Sequence, residues 1–386
     1  MKKVLLRAPV LTQSGYGVHS RQIFSWLSQK QEIDLSVQLL PWGETPWLLN
    51  KGSSEIVRKI MSCSKSALDV DVTFQVQLPN EWDPKLGRFN VGITAAVETT
   101  TCNPKWIDAC NAMNVVIVPS THTANVLKAS GHITTPVFVV PESYPSVFDD
   151  VTDQLDIDLE SKFNFLIFGQ MTGNTFTSDR KGVLSALRCL CEEFKDEKDV
   201  GIVVKTNMGR NSLIDRRVTL SILKQITEDA RGKSPYPRVK VIHGAMSDVE
   251  IAELYKNPSI KAAVSLTRGE GYGLPILEAA RAGVPIIATA WSGHMDFMKH
   301  GKFINVAHKL VDVHSSKIDN RIFMQGTKWA EPSEDDFKKK ARKFFEAPTA
   351  PKQWASELAN VIKEKYNAQE IFNAYDNVDI VKGALT

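Results

Sequence analysis

The sequence predicts an α/β protein of two Rossmann-like, doubly wound domains facing a cleft, on three observations. The chain has 386 residues, too many for one compact α/β core and suited to two. Apolar runs rich in β-branched residues recur along both halves with amphipathic segments between them, the pattern of parallel sheets covered on both faces. A polar, acidic stretch of poor periodicity at 142–162 separates the two series.

In the first half, strands are expected at 4–8, 34–40, 72–78, 90–96, 115–118 and 137–140, bounded by Pro, Gly or Asn, with a helix carrying Ile23, Trp26 and Leu27. In the second half, strands are expected at 163–168, 200–205, 239–242, 262–266 and 285–288, and helices at 182–194 and 213–230. After residue 330 the pattern is helical and charged, with amphipathic stretches at 334–345 and 354–365. The expected division is therefore an N-terminal domain over 1–150, a C-terminal domain over 151–345, and a helical segment over 346–386 that packs back on the first domain, with Trp354 as its anchor.

Composition narrows the class. An apolar fraction of 43% and a charged fraction of 24% are those of an ordinary globular protein. The 47 basic and 44 acidic residues nearly balance, so no global field demands nucleic acid or an anionic membrane. Five cysteines lack zinc-ligand spacing and read as reduced thiols of a cytoplasmic protein. Arg7 and Pro9 end the first apolar run too early for a signal peptide, and no run of 18 apolar residues occurs, so membrane contact is expected to be peripheral at most.

The informative stretch is 265–289, whose grammar is strand, glycine loop, helix, glycine stop, strand. Pro275 suits a first helical turn and Gly283 a helix end, which predicts a helix over 275–282. Gly271 and Gly273 before it let backbone N–H groups approach an anion at the positive end of the helix dipole, and a diphosphate fits there. Glu270 stands before the glycines and Glu278 lies on the helix they open, so both can face one ligand longer than a diphosphate. The expected donor site is thus built around 268–278.

These residues resemble the retaining glycosyltransferases related to glycogen and sucrose synthases, grouped as glycosyltransferase family 4. The E-x7-E signature, with Gly-[FY]-Gly-Leu-Pro after the first Glu and Glu-Ala before a Gly-x-Pro, matches 270–285 nearly position for position. The resemblance implies a GT-B fold and a nucleoside diphosphate sugar as donor, with no further cofactor and no metal. It implies that Glu270 contacts the donor sugar, that Glu278 holds the ribose, and that the amides of Gly271, Tyr272, Gly273 and Leu274 bind the diphosphate. Asp179-Arg180-Lys181-Gly182 after the 163–168 strand resembles the family's Lys-Gly pair, so Lys181 would neutralise the diphosphate with help from Arg180. Where the family often has Gly-Arg this chain has Gly169-Gln170, and the second cation must come from elsewhere. Lys205 ends a strand and is a candidate, as an ordinary strand-end charge is its alternative reading. Gly244 and Ala245 lie in a turn similar to the family's nucleobase loop.

In the first half, Gly15 and Gly17 follow the first strand where the family has a glycine-rich loop, and Glu98 lies where many members carry a His near the reacting carbon. Ser120 reads as a helix cap. His19 and His294 are candidate site residues set against a structural reading. A NAD fingerprint would also want an acidic residue after the second strand, where this chain has Pro41-Trp42, so a dehydrogenase loses ground. The expected reaction is transfer of a glycosyl unit to an acceptor hydroxyl of a glycan, lipid, protein or modified nucleic-acid base, the last not indicated by the charge. The rivals are a nucleotide-sugar epimerase, a pyridoxal-phosphate phosphorylase and a non-catalytic sugar-nucleotide-binding protein.

Overall fold

A computed structural model describes residues 1–48 and 55–386. The chain divides into two compact units. Unit 1 comprises Met1–Ser143, Asp319–Thr327 and Ala368–Thr386; unit 2 comprises Tyr144–Ile318 and Lys328–Asn367.

Unit 1 holds a parallel six-stranded sheet made of β1 (Lys2–Ala8), β2 (Ile33–Leu39), β3 (Val72–Val76), β4 (Phe89–Ile93), β5 (Val115–Val118) and β6 (Val137–Val139), in the order β2-β1-β3-β4-β5-β6. The expected strands are the observed ones, with ends shifted by a few residues. β3 stops at Val76 because Pro79 opens a turn of 3-10 helix immediately beyond.

Unit 2 holds a second parallel sheet. Its strands are β7 (Phe163–Phe168), β8 (Val200–Thr206), β9 (Arg238–His243), β10 (Ile260–Ser265), β11 (Ile286–Thr289) and β12 (Ile304–Val306), in the order β12-β11-β10-β7-β8-β9. The order reverses between β7 and β10, so the loops leaving these two strands diverge and open a crevice at their carboxyl ends. A core of Phe165, Ile167, Leu187, Leu190, Val204, Val264 and Ile287 fixes both strands beneath that point. β12 and the antiparallel pair β13 (His308–Asp312) and β14 (Lys328–Pro332) are absent from the sequence expectation, because strands of three to five residues with mixed burial carry no readable period.

The boundaries differ from 150, 345 and 346–386. The first crossing falls at Ser143/Tyr144, and 319–327 returns to unit 1 from within the β13–β14 excursion. Of the C-terminal helices, Glu334–Glu346 packs Phe337, Ala341 and Phe344 into the unit 2 core, and Thr349–Lys365 stays in the same unit, with Leu358 against Gly301 and Ala359 against Gly283. Only Ala368–Asp376 and Asp379–Leu385 join unit 1. Trp354, in unit 2, is not their anchor. The tie is Tyr375, stacked on Trp26 at 4.8 Å, together with Asp376, which accepts from Trp26 Nε1 at 3.0 Å and Lys30 Nζ at 2.6 Å. Burying two rings in contact outweighs a surface run of charge.

Candidate functional site

The crevice of unit 2 is built from two loops that grip each other. The loop after β7 turns into the helix Val183–Glu193 at Gly182, which has φ +67; a Cβ there would stand 2.2 Å from the Leu266 carbonyl oxygen at the end of β10. Only glycine closes that approach. Asp179, wholly buried, accepts from the Thr172 hydroxyl at 3.1 Å and from Leu184 N–H at 3.0 Å, tying the start of the loop to the helix it precedes.

Arg268 lies beneath, not in, the crevice, and this corrects the expectation of a donor site running from 268. Its guanidinium forms a two-bond fork with Glu331 (2.7 and 2.9 Å) and donates to the carbonyls of Phe176 (2.8 Å) and Asp179 (2.7 Å). Its side chain is 5% exposed, so it is the pin that holds the β7 loop, the β10 loop and β14 together.

Above this pin, Lys181 Nζ is ion-paired with Glu270 Oε2, one residue from each loop. Arg180 donates from Nη1 to the Gly269 carbonyl at 3.3 Å. Burial alone pushes the Glu270 carboxyl up, but Lys181 and then Arg180 outweigh it and hold it below the usual carboxylate range. Lys317, in the 3-10 turn Ser315–Lys317, donates to the Thr172 carbonyl at 2.5 Å; burial, then Arg180, lowers its affinity for a proton. Three cations therefore surround the β7 loop. Lys317 is invisible to sequence reasoning, being brought back from 145 residues away by the β13–β14 excursion.

The glycine loop is clamped from behind by 292–294. Ser292, at φ +88, accepts from Glu270 N–H at 2.8 Å, and Gly293 N–H donates to the Glu270 carbonyl at 2.9 Å. A Cβ on Gly293 would sit 2.1 Å from the Gly271 carbonyl oxygen, and one on Gly273, at φ +103, 2.9 Å from His294 Cβ. His294 is fully buried and its Nε2–H donates to the Thr289 carbonyl at 2.7 Å, so it braces the loop. Tyr272 is buried edge-on against Phe297, leaving the backbone of Gly271–Leu274 as its contribution. Local periodicity gives no signal for the 292–294 clamp.

Gly273 is the left-handed cap of the helix Leu274–Arg281, one residue longer at its start than expected. Glu278 is buried on that helix; burial, reinforced by Asp248, pushes its carboxyl up to about 8. The folded state thus holds this proton more tightly than the unfolded chain, so the stability it contributes is complete below 4.5 and lost as pH rises through about 8. Since Lys205 and Glu142 titrate in the same range, the effect is read as a difference: between pH 7 and pH 9, Glu278→Gln, which keeps the neutral shape, is expected to gain about 2–4 °C in ligand-free melting temperature relative to the wild type in scanning calorimetry.

Lys205, at the end of β8, is 5% exposed and donates to the Gly244 carbonyl; burial lowers it to about 8. Gly244 has φ +109 and open space at its α-carbon, and Ala245 is exposed beside it. Lys205 thereby shapes the turn that precedes the helix Asp248–Lys256.

Within unit 1, Ser14 caps the helix Gly15–Leu27, accepting from Gly17 N–H at 3.0 Å. Gly15 has open space, whereas a Cβ on Gly17 would lie 2.1 Å from the Thr12 carbonyl oxygen. Gly17→Ala is expected to destabilise unit 1 by about 1–3 kcal/mol in chemical denaturation, because two backbones must part. Tyr16 stacks on Trp42 at 3.8 Å and bonds Thr94 Oγ1 and Ala95 N–H at 3.0 Å each. Glu98 is half-buried close enough to raise the Tyr16 phenol, after burial itself. His19 is buried, bonded to the Tyr375 hydroxyl at 3.1 Å and 3.8 Å from Glu142; burial drives it down to about 3 and Glu142 up to about 8. Burial therefore favours its neutral form. Ser120 caps the helix Thr121–Ser130.

Residues 224–373, less than half of the chain, match the family of glycosyl transferases group 1, which spans the glycine loop, Glu270 and Glu278. No curated protein matches the chain by sequence. Among solved structures, a glycosyltransferase from Rickettsia africae ESF-5 aligns with a TM-score of 0.68 at 12% identity, over 100% of this chain and 99% of that one. The E. coli trehalose-6-phosphate structure bound with UDP-2-fluoro glucose aligns at 0.65 and 8% identity, over 100% and 99%. The pneumococcal O-GlcNAc transferase GtfA, in complex with UDP and GlcNAc, aligns at 0.54 and 12% identity, over 90% of this chain. The chain spans 64% of the length of GtfA. The fold is GT-B: two six-stranded parallel sheets, each doubly wound.

Proposed function

We propose that the chain is a glycosyltransferase that moves a sugar from a nucleoside diphosphate sugar to an acceptor hydroxyl with retention of anomeric configuration. The observation that carries this reading is the Lys181–Glu270 pair at the strand-order reversal of unit 2, set against a glycine loop that opens a helix. The crevice outside the carboxyl ends of such strands is where open α/β sheets hold ligands. A diphosphate there meets the amides of 271–274, the positive helix end and the charges of Lys181, Arg180 and Lys317. Glu270, kept ionised by its cations, accepts hydroxyl hydrogen bonds from the donor sugar, and Glu278 those of the ribose. Lys205, Gly244 and Ala245 form the wall for the nucleobase.

In the reaction, the bond between the anomeric carbon and the diphosphate oxygen breaks and one to the acceptor oxygen forms on the same face. The acceptor proton passes to the leaving diphosphate, whose charge the cations and helix end stabilise. Glu98 is proposed as an acceptor contact from unit 1. Residues 224–373 support glycosyl transfer as the activity.

A panel of sugar nucleotides tested by thermal shift, followed by acceptor screening with the best of them, tests the reading. A donor present at a hundred times its Kd is expected to stabilise unit 2 by about 2.7 kcal/mol. Absence of any shift at millimolar donor would sink the proposal, and a shift without release of nucleoside diphosphate would make the chain a binding protein.

A further inference from the structure

One surface of unit 2, at the start of the helix that follows β8 and beside the turn at His243, departs from what a water-facing helix presents. The helix Leu213–Arg231 is seated through Thr219, Leu223 and Thr227, which are buried. Its first turns leave aliphatic side chains in water: Leu213 is 73% exposed, Ile214 71%, Val218 39% and Leu220 37%. At helical spacing, Ile214, Arg217 and Val218 lie on the face opposite the buried stripe, and Leu213, at the first position of the helix, on its flank. A cluster of exposed aliphatic residues on one element marks an interaction surface, where single exposed ones would not.

The charge around the cluster is mostly positive. Arg210, Arg216 and Arg217 are exposed among these residues, and the one carboxylate within 210–224, Asp215, is engaged in the helix cap, accepting from Arg210 N–H, Ser212 N–H and the Ser212 hydroxyl. Aliphatic side chains set among arginines match the boundary of an anionic bilayer, where the former enter below the headgroups and the latter stay among them. A second copy of the chain is a poorer occupant, because a self-complementary twofold contact would bring the same arginines together. Nucleic acid is poorer too, since the face offers no aromatic ring for a base. No described helix is long and apolar enough to cross a membrane, so the contact is with its surface.

We propose that the exposed face of the helix Leu213–Arg231 docks unit 2 on an anionic lipid bilayer, with Leu213, Ile214 and Val218 inserted and Arg210, Arg216 and Arg217 among the headgroups. The inference does not depend on the reaction proposed above. It is tested by sedimenting the full chain with vesicles of phosphatidylcholine alone and with vesicles that also contain phosphatidylglycerol, at low and high salt. The wild type is expected to pellet with the anionic vesicles at low salt and to be released by salt. Arg210→Gln/Arg217→Gln should weaken partitioning by about 25-fold, at roughly fivefold per cation. Leu213→Ser/Ile214→Ser should abolish pelleting while leaving the circular dichroism melt unchanged, since neither side chain is packed. Failure of the wild type to pellet, equal pelleting on neutral vesicles, or wild-type pelleting by the serine variant would overturn the proposal. So would retention on duplex DNA without vesicle binding.

Discussion

If the proposed transfer holds, replacing Lys181 with glutamine is expected to lower kcat/KM by about 10²–10³-fold with any donor the chain accepts, the cost of removing one preorganised charge from a site of developing negative charge. The loss has two parts. A cation proposed to face the leaving diphosphate disappears, and Glu270 loses the nearest of the charges that keep it ionised against burial. In the variant the Glu270 carboxyl rises, because burial is the largest influence on it and is no longer offset by Lys181. Activity should then acquire an acidic limb shifted to higher pH, visible in a pH profile of kcat/KM. Lys181→Arg, which keeps the charge, should restore most of the profile. An unchanged profile in the glutamine variant would mean that Glu270 ionisation plays no part in turnover.

The second large effect is structural. Arg268→Ala is expected to destabilise unit 2 by about 3–5 kcal/mol, the range for removing one partner of a buried ion pair. Glu331 would be left without its fork, and the Phe176 and Asp179 carbonyls without a donor. The melting temperature should drop by roughly 10 °C for a unit of this size. Arg268→Lys should recover little of it, since an ammonium cannot serve four acceptors in a plane. Because Arg268 holds the β7 loop against the β10 loop, donor affinity should fall with stability. Calorimetry paired with donor titration separates the two.

The fold and the middle of the site were legible because their signals are local. β-branched runs between turn residues mark strands whatever they pack against, which is why β5 and β7 are found at the residues expected. Gly271, Gly273, Pro275, Glu270 and Glu278 form one short stretch whose backbone demands can be read without knowing the neighbours. Tertiary structure alone decided what those residues lean on. Arg268 reads as part of the donor loop in sequence and is a buried pin in space, because its four acceptors come from residues 63 to 92 positions away. Lys317 reaches the β7 loop from 145 residues away, in the connection that follows β13. The 292–294 clamp and the seat of Tyr375 on Trp26 are likewise long-range. Hydrophobic period and turn chemistry act over a few residues and are written into the sequence. The electrostatics of a crevice, and the choice of unit to which a terminal helix belongs, depend on distances that only the packed chain sets.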